Sequence, residues 1–143
     1  MTQSIIGQEF VKKVVPLIDQ VKKQILICVF DWRWYENDLS NPAQIFNQSI
    51  IRAIRRGVNV QVVTNIPEVV KILKEQGAKV FHPMTTRLVH PKLMILDDEK
   101  VIIGSHNYTQ SAFTTNFEVS VLLEQPDCID SLKKFFFNLF GNG

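Results

Sequence analysis

Helix-like and strand-like segments alternate along residues 8–81, and this order limits the possible folds more than any other feature of the sequence. Short apolar, β-branched runs predict buried strands, and apolar residues at helical spacing predict the helices between them. Helix–strand units joined by short connections are typical of a parallel sheet covered by helices. The predicted helices are 8–23, with a kink or early end at Pro16, 42–56 and 67–76, and the predicted strands are 25–30, 58–64 and 78–81.

The pattern changes in the second half of the chain. Residues 88–96 and 101–104 are apolar and flank a polar tetrapeptide, which predicts a β-hairpin. A further strand is predicted at 117–123 and a last helix at 127–140. Because a chain of 143 residues has the length of one domain, we predict a single α/β domain over residues 1–143. Its sheet is expected to be mixed but largely parallel, with helices on both faces.

Composition excludes several classes of protein. A hydrophobic content of 45% with 21% charged residues is ordinary for a folded globular chain and excludes disorder. No apolar run approaches the roughly 18 residues of a membrane span, and the first residues do not resemble a signal peptide. Cys28 and Cys128 have no metal-binding spacing, which favours buried thiols in a reducing compartment. We therefore expect a cytoplasmic protein without stable membrane association.

Charge is distributed unevenly along the chain. Residues 39–96 carry eight basic side chains against two acidic ones, whereas residues 97–143 carry three basic and seven acidic side chains. A basic middle third indicates a surface that faces a polyanion. Solvated helix faces explain the same charges equally well, so charge alone leaves the two interpretations open.

The hairpin brings polar residues to one end of an otherwise apolar unit. His90 and Lys92 are two positions apart and therefore share a face of a strand. A turn of two or four residues would place Lys92 opposite Ser105 and His90 opposite Asn107, with Cβ atoms about 4.5–5.5 Å apart. A turn of three residues would shift the pairing by one position and separate the four groups.

Such a cluster has the chemistry of a phosphate site. Lys92 supplies positive charge, Ser105 and Asn107 supply hydrogen-bond donors, and a neutral His90 supplies a nucleophile or base. No carboxylate cluster accompanies them, so we expect neither a metal ion nor another cofactor. Asp97 lies at the turn end, where a structural role is the simplest interpretation.

These residues form the pattern His-x-Lys, four residues, Asp, six residues, Gly-Ser-x-Asn. The pattern resembles the signature of the phospholipase D superfamily, and residues 25–124 are similar to one repeat of that superfamily. Glu118 resembles an acidic residue that follows the motif and orients a histidine, although a surface glutamate is the alternative. The resemblance implies a catalytic set of His90, Lys92, Asp97, Ser105, Asn107 and Glu118, in which Asp97 holds the motif in place.

The resemblance also implies a mechanism. His90 attacks the phosphorus of a phosphodiester to give a phosphohistidine, and a second histidine protonates the leaving oxygen and then activates water. Lys92, Ser105 and Asn107 stabilise the phosphoryl oxygens and bind the substrate.

The implied mechanism needs two histidines, whereas the chain has one motif. His106 occupies the variable position of the motif and points away from its neighbours, and His82 has no lysine at the right spacing. A two-fold homodimer in which each copy contributes His90 and Lys92 meets the requirement. Short members with one motif, such as the bacterial non-specific endonuclease, are similar in this respect.

The substrate class is the remaining question. The single motif, the basic middle third and the aromatic loop after residue 30 favour a nuclease acting on DNA or RNA, with Trp32 and Arg33 as substrate-binding candidates. The alternatives are a phospholipase or phosphatidyl transferase whose tryptophans enter a membrane interface, and a catalytically silent nucleic-acid-binding module. Trp32 could equally close the edge of the core or a dimer interface.

Overall fold

The computed structural model describes residues 2–83 and 85–139. Within them the chain forms seven strands and five helices. In chain order these are β1 (Thr2–Ile6), α1 (Glu9–Asp19), β2 (Gln24–Val29), α2 (Pro42–Arg55), β3 (Asn59–Val63), α3 (Pro67–Gln76), β4 (Lys79–Phe81), β5 (Lys92–Leu96), β6 (Lys100–Gly104), α4 (Gln110–Thr114), β7 (Val119–Glu124) and α5 (Ile129–Asn138).

All seven strands belong to one sheet with the order β1-β7-β6-β5-β2-β3-β4. Only β2–β3 and β3–β4 are parallel pairs, and the other four pairings are antiparallel. The prediction of a mixed α/β sheet is confirmed, but the prediction that it is largely parallel is wrong. After β4 the chain returns to the far side of β2 and continues there as antiparallel neighbours.

Helices cover both faces of the sheet, as predicted. Strand β2 shows the alternation, because Ile25 and Ile27 pack into the core beneath α1, α2 and α3. Leu26 and Cys28 point to the opposite face, where they join the core that contains the fully buried Phe136 of α5. Burial on both sides explains why this strand is apolar without interruption.

Two elements are absent from the sequence prediction. Strand β1 buries only Ile5 and is defined by its antiparallel pairing with β7, which its own residues do not reveal. Helix α4 has five residues and is capped by the preceding Thr109, whose hydroxyl accepts a hydrogen bond from the Ala112 N–H at 3.2 Å. An element this short has no helical periodicity to detect.

The ends of two predicted helices differ from the structure. Helix α1 ends at Asp19 rather than at residue 23, with Pro16 in its last turn and a chain that turns directly into β2. Helix α5 begins at Ile129, two residues later than predicted. The predicted end of that helix at Phe140 lies outside the described residues.

The turn between β5 and β6 has three residues, so the predicted pairing is wrong by one position. Leu96 pairs with Lys100 rather than with Val101, and Asp97 and Asp98 adopt φ angles of 53° and 55°. Aspartate tolerates this left-handed region better than most residues. The shift brings Lys92 level with Gly104 and not with Ser105.

Candidate active site

His90 and Lys92 lie together where β5 begins, at the end of the sheet remote from the hairpin turn. The Lys92 Nζ is 2.9 Å from His90 Nδ1 and 3.3 Å from Nε2. The same ammonium donates a hydrogen bond to the His90 carbonyl oxygen at 2.9 Å. The imidazole itself is exposed, so an incoming substrate can reach its ring nitrogens.

Phe30, which directly follows β2, supports this pair. Its ring centroid is 4.6 Å from that of His90, at an interplanar angle of 40°. The Lys92 Nζ lies 5.6 Å from the same ring, within the range of a cation–π contact. Sequence reasoning missed Phe30, although its place at the carboxyl end of a strand, where α/β sheets bind ligands, was the available signal.

Ser105 and Glu118 form the second half of the cluster. The Ser105 hydroxyl donates to Glu118 Oε1 at 2.5 Å and accepts from the Val119 N–H at 3.0 Å. The other carboxylate oxygen of Glu118 accepts from Asn116 Nδ2 at 3.0 Å. Glu118 is therefore held by hydrogen bonds and is not an unattached surface glutamate.

Electrostatics connect the two halves. Burial lowers the pKa of Lys92, and the negative charge of Glu118 opposes that shift. Because Lys92 lies level with Gly104, the residue before Ser105, and Ser105 bonds to Glu118, the structure brings His90, Lys92, Ser105 and Glu118 to one end of the sheet. The hairpin alone does not assemble them, since β7 supplies Glu118 from the far side of β6.

Asn107 holds the segment that follows β2, next to the Phe30 that contacts His90. Its Oδ1 accepts a hydrogen bond from the Asp31 N–H at 3.1 Å. The next residue extends the connection, because the Tyr108 N–H donates to the Asp31 carbonyl and the Tyr108 carbonyl accepts from the Arg33 N–H, both at 3.0 Å. Asp31 and Arg33 thereby become neighbours of the motif.

The segment after β2 carries the two further residues predicted to bind substrate, Trp32 and Arg33, and the structure places them differently. Trp32 is fully buried, its indole N–H donates to Asn47 Oδ1 at 2.7 Å, and its ring meets Tyr108 edge-on at 5.2 Å. The prediction that Trp32 contacts substrate is wrong, because the ring fills the core. Arg33 is exposed and pairs with Asp31, Nε to Oδ1, at 2.8 Å.

Asp97 lies at the other end of β5, about 16 Å from Lys92 along the strand. It therefore does not contact the reacting groups, and the role expected of it, holding the motif in place, stays a prediction. Its carboxylate instead accepts the backbone N–H groups of Lys22, Lys23 and Gln24 at 2.8–2.9 Å. Burial raises the Asp97 pKa, but these three hydrogen bonds outweigh burial and hold it below its usual value.

The described residues offer neither a cluster of metal ligands nor a membrane-spanning helix. Among residues 2–83 and 85–139, no group of three or more histidine, cysteine, aspartate or glutamate side chains could hold a metal ion. Over the same residues, no helix has both the length and the apolar character needed to cross a bilayer.

Comparisons with known proteins show the family to which the chain belongs. A family model described as "Cardiolipin synthase, PLD-like domain" matches residues 14–140. Cardiolipin synthase 2 of Staphylococcus epidermidis is 30% identical over 109 residues, which cover 68% of this chain and 22% of that protein. The chain thus spans about a fifth of the length of this relative.

Two solved structures are similar over nearly their whole length. Nuc of Salmonella typhimurium, a phospholipase D family member, superposes with a TM-score of 0.82 at 20% identity, covering 100% of this chain and 97% of Nuc. NucT of Helicobacter pylori gives a TM-score of 0.80 at 16% identity, covering 99% and 96% of the two chains. The family match over most of the chain identifies it as a member of the phospholipase D superfamily of phosphodiesterases.

Proposed function

We propose that the chain is a nuclease that cleaves DNA or RNA through a phosphohistidine intermediate. The observation that carries this proposal is the exposed His90 imidazole beside the Lys92 ammonium, 2.9 Å from Nδ1. A ring nitrogen next to a fixed positive charge can attack a phosphorus atom whose oxygens that charge stabilises.

The proposed reaction has two steps. In the first, a His90 ring nitrogen forms a bond to phosphorus, the bond from phosphorus to the leaving oxygen breaks, and a second histidine gives that oxygen a proton. In the second, the same histidine takes a proton from water, whose oxygen attacks the phosphohistidine and releases the phosphomonoester and free His90. Histidines supply both nucleophile and acid, so the reaction as proposed requires no metal ion or other cofactor.

The hydrogen bonds of the free site refine the roles of its other residues. The Ser105 hydroxyl proton is already donated to Glu118, so Ser105 must turn before it can donate to a phosphoryl oxygen. Lys92 carries the charge stabilisation from the outset, and the Asn107 side chain, whose oxygen accepts the Asp31 N–H, has its amide N–H groups to donate to a phosphoryl oxygen. Glu118 supplies the negative charge that favours the cationic form of Lys92.

The second histidine is proposed to come from another copy of the chain. His106 is buried, with both ring nitrogens within hydrogen-bonding distance of protein atoms, which makes it unfit to donate a proton to substrate. Next to Glu118 the surface is apolar and exposed, with Phe117, Val119 and the cross-strand partner Ile6. An exposed apolar patch beside half an active site is a suitable contact for a two-fold homodimer.

Nucleic acid is favoured over lipid by the extent of the matches and by charge. The chain covers almost all of Nuc and NucT but about a fifth of the cardiolipin synthase. Arg33 is exposed beside the motif, where it can contact a neighbouring phosphate of a polyanion. Because Trp32 is buried, its ring can neither stack on a nucleic-acid base nor enter a membrane interface.

A lipid substrate remains the second candidate on specific observations. The matching family model is that of cardiolipin synthase, and Leu88, two residues before His90, is an exposed apolar side chain. A phosphatidyl transferase would use the same His90 chemistry with an alcohol in place of water.

The substrates can be compared directly in the presence of EDTA. Labelled single- and double-stranded DNA and RNA, and phosphatidylglycerol vesicles, are incubated with the wild type, His90→Ala and His82→Ala. His82 is an exposed histidine outside the cluster, which makes it the matched control. We expect nucleic-acid cleavage by the wild type and His82→Ala and a loss of at least about 1000-fold in His90→Ala. Lipid turnover without nucleic-acid cleavage would disprove the nuclease proposal, and binding without turnover would indicate a silent module.

A further inference from the structure

His106 lies between Ser105 and Asn107 in the sequence but enters the core. Only 1% of its surface is exposed. The imidazole packs against Phe10 with ring centroids 4.7 Å apart and against Phe113 at 6.3 Å. A buried imidazole surrounded by aromatic rings loses its hydration and needs protein partners for both nitrogens.

Both partners exist and together they fix the tautomer. His106 Nε2 is 2.9 Å from the Gly7 carbonyl oxygen, which can only accept, so Nε2 carries the hydrogen. Nδ1 is then an acceptor and takes the hydroxyl hydrogen of Ser120 at 2.7 Å. Burial lowers the pKa of His106, while the Gly7 bond and the charge of Glu118 oppose the shift.

Both partners of His106 are connected to the backbone of Glu118. The Gly7 N–H donates to the Glu118 carbonyl oxygen at 2.9 Å, while the Gly7 carbonyl accepts from His106. Ser120 follows Glu118 by two residues on β7. The imidazole thus contacts Gly7, which bonds to the Glu118 carbonyl, and Ser120, two residues beyond Glu118. It is therefore connected twice to the backbone that carries the Glu118 carboxylate, the acceptor of the Ser105 hydroxyl.

We propose that His106 is a positioning residue for phosphoryl transfer, acting through Gly7 and Ser120 to hold Glu118 and Ser105 in place. The inference rests on the proposed phosphodiesterase function but not on the choice of substrate. A displacement of the order of 1 Å at a site of this kind costs about 100-fold in rate, and a buried donor–acceptor bridge is suited to prevent it.

Three variants separate positioning from general stability. His106→Leu fills the buried position with an apolar side chain and removes both hydrogen bonds of the imidazole. His106→Gln restores a donor near the former Nε2 position. Phe113→Leu is the matched control, because it disturbs the same aromatic cluster without touching a side-chain hydrogen bond of the bridge. Each variant is assayed with bis(4-nitrophenyl) phosphate, a phosphodiester that is neither nucleic acid nor lipid, at a temperature where circular dichroism shows it folded.

We expect His106→Leu to lower kcat by about 10- to 100-fold with a change in KM below about threefold. His106→Gln should recover most of the loss, and Phe113→Leu should retain kcat within about threefold despite a lower Tm. Equal losses in His106→Leu and Phe113→Leu, or no recovery in His106→Gln, would overturn the inference while leaving the proposed function intact.

A binding measurement keeps the two proposals apart. Inorganic vanadate resembles the five-coordinate phosphorus of the transfer step, and its Kd is measured by calorimetry for the same variants. If the wild type binds vanadate but hydrolyses no phosphodiester, the proposed function fails. In that case the inference is limited to the geometry of the site: vanadate binding weakened by about tenfold or more in His106→Leu but not in Phe113→Leu supports a role of His106 in holding Glu118 and Ser105, and unchanged binding overturns it. A wild type that neither binds vanadate nor turns over a phosphodiester overturns both.

Discussion

At the scale of single residues, Asp97 shows how a motif position can serve the fold and not the chemistry. Its carboxylate collects three backbone N–H groups from the segment that enters β2, and its left-handed φ sets the first residue of the hairpin turn. The spacing of the motif thus reflects the length of β5, which separates Asp97 from His90 and Lys92.

Asp97→Asn tests this structural role. Asparagine tolerates the same φ but loses the charge and one acceptor oxygen, so we expect unfolding free energy to fall by about 1–2 kcal/mol. Asp98→Asn is the matched control, because Asp98 also has a positive φ and its ion pair with Lys133 is exposed, worth at most about 1 kcal/mol. Urea denaturation measures both, and equal effects would contradict the assigned role.

The depressed pKa of Asp97 also predicts a pH dependence. A carboxyl group whose pKa is lower in the folded state stabilises the fold above its unfolded pKa of about 3.9. That contribution is lost as the pH falls through the folded value. The stability difference between wild type and Asp97→Asn should therefore be full above about pH 5 and shrink as the pH falls below about 4. A difference that stays constant from pH 6 to pH 3 would refute this assignment.

At the scale of elements, the hairpin and its neighbour β7 build the site together. The sequence correctly indicated both strands of the hairpin, because apolar runs around a polar turn are a strong local signal. It did not determine which residues of the two strands pair, because turns of two, three or four residues are all compatible with the sequence. The three-residue turn is accompanied by hydrogen bonds of Asp97 to a segment more than 70 residues away, which the hairpin sequence does not contain. The cluster survives the shift because β7 contributes Glu118.

Gly104 lies at the contact of β6 and β7, and its substitution tests this element. A Cβ atom at Gly104 would overlap the Cα and hydroxyl of Ser120 and the carbonyl oxygen of Val119. Gly104→Ala must therefore separate the two strands, at a cost of about 1–3 kcal/mol, and it should displace Ser105 from Glu118. Thermal unfolding and the phosphodiesterase assay are the measurements. If Gly104→Ala keeps both the wild-type Tm and the wild-type kcat, the close contact of β6 and β7 at Gly104 is needed for neither stability nor activity, and the prediction is wrong.

At the scale of the whole molecule, some basic residues of the middle third bind other parts of the protein, whereas Lys92 lies in the candidate active site. Arg52 pairs with Asp19 at 3.0 Å, and Arg56 donates to the carbonyl oxygens of Ile18 and Val21, both at 2.9 Å. Arg52 and Arg56 thus bind residues at the end of α1. Fewer of the basic side chains of residues 39–96 are therefore available to bind a polyanion. Local charge counts could not separate them from Lys92, because their partners come from a distant helix.

A mixing experiment tests the proposed homodimer. Wild-type chains are incubated with an excess of His90→Ala chains until subunits exchange. Mixed dimers would hold one histidine instead of two, so activity should fall well below that of the same amount of wild type alone. His82→Ala chains, added in the same excess, should not inhibit. Activity proportional to wild-type chains at every ratio, with a monomer in sedimentation, would contradict the dimer.

The sequence by itself determined the order of the helices and strands other than β1 and α4, the two-sided cover of the sheet and the identity of the polar residues at the end of the hairpin. These features are local, because periodicity and apolar runs are properties of neighbouring residues. Tertiary structure decided which of those residues meet. Trp32 turned inward because Asn47 and Tyr108 accommodate its ring and N–H, Asp97 turned to β2, and Glu118 reached Ser105 because β6 and β7 pair. Long-range hydrogen bonds and packing made each choice, and no local pattern encodes them.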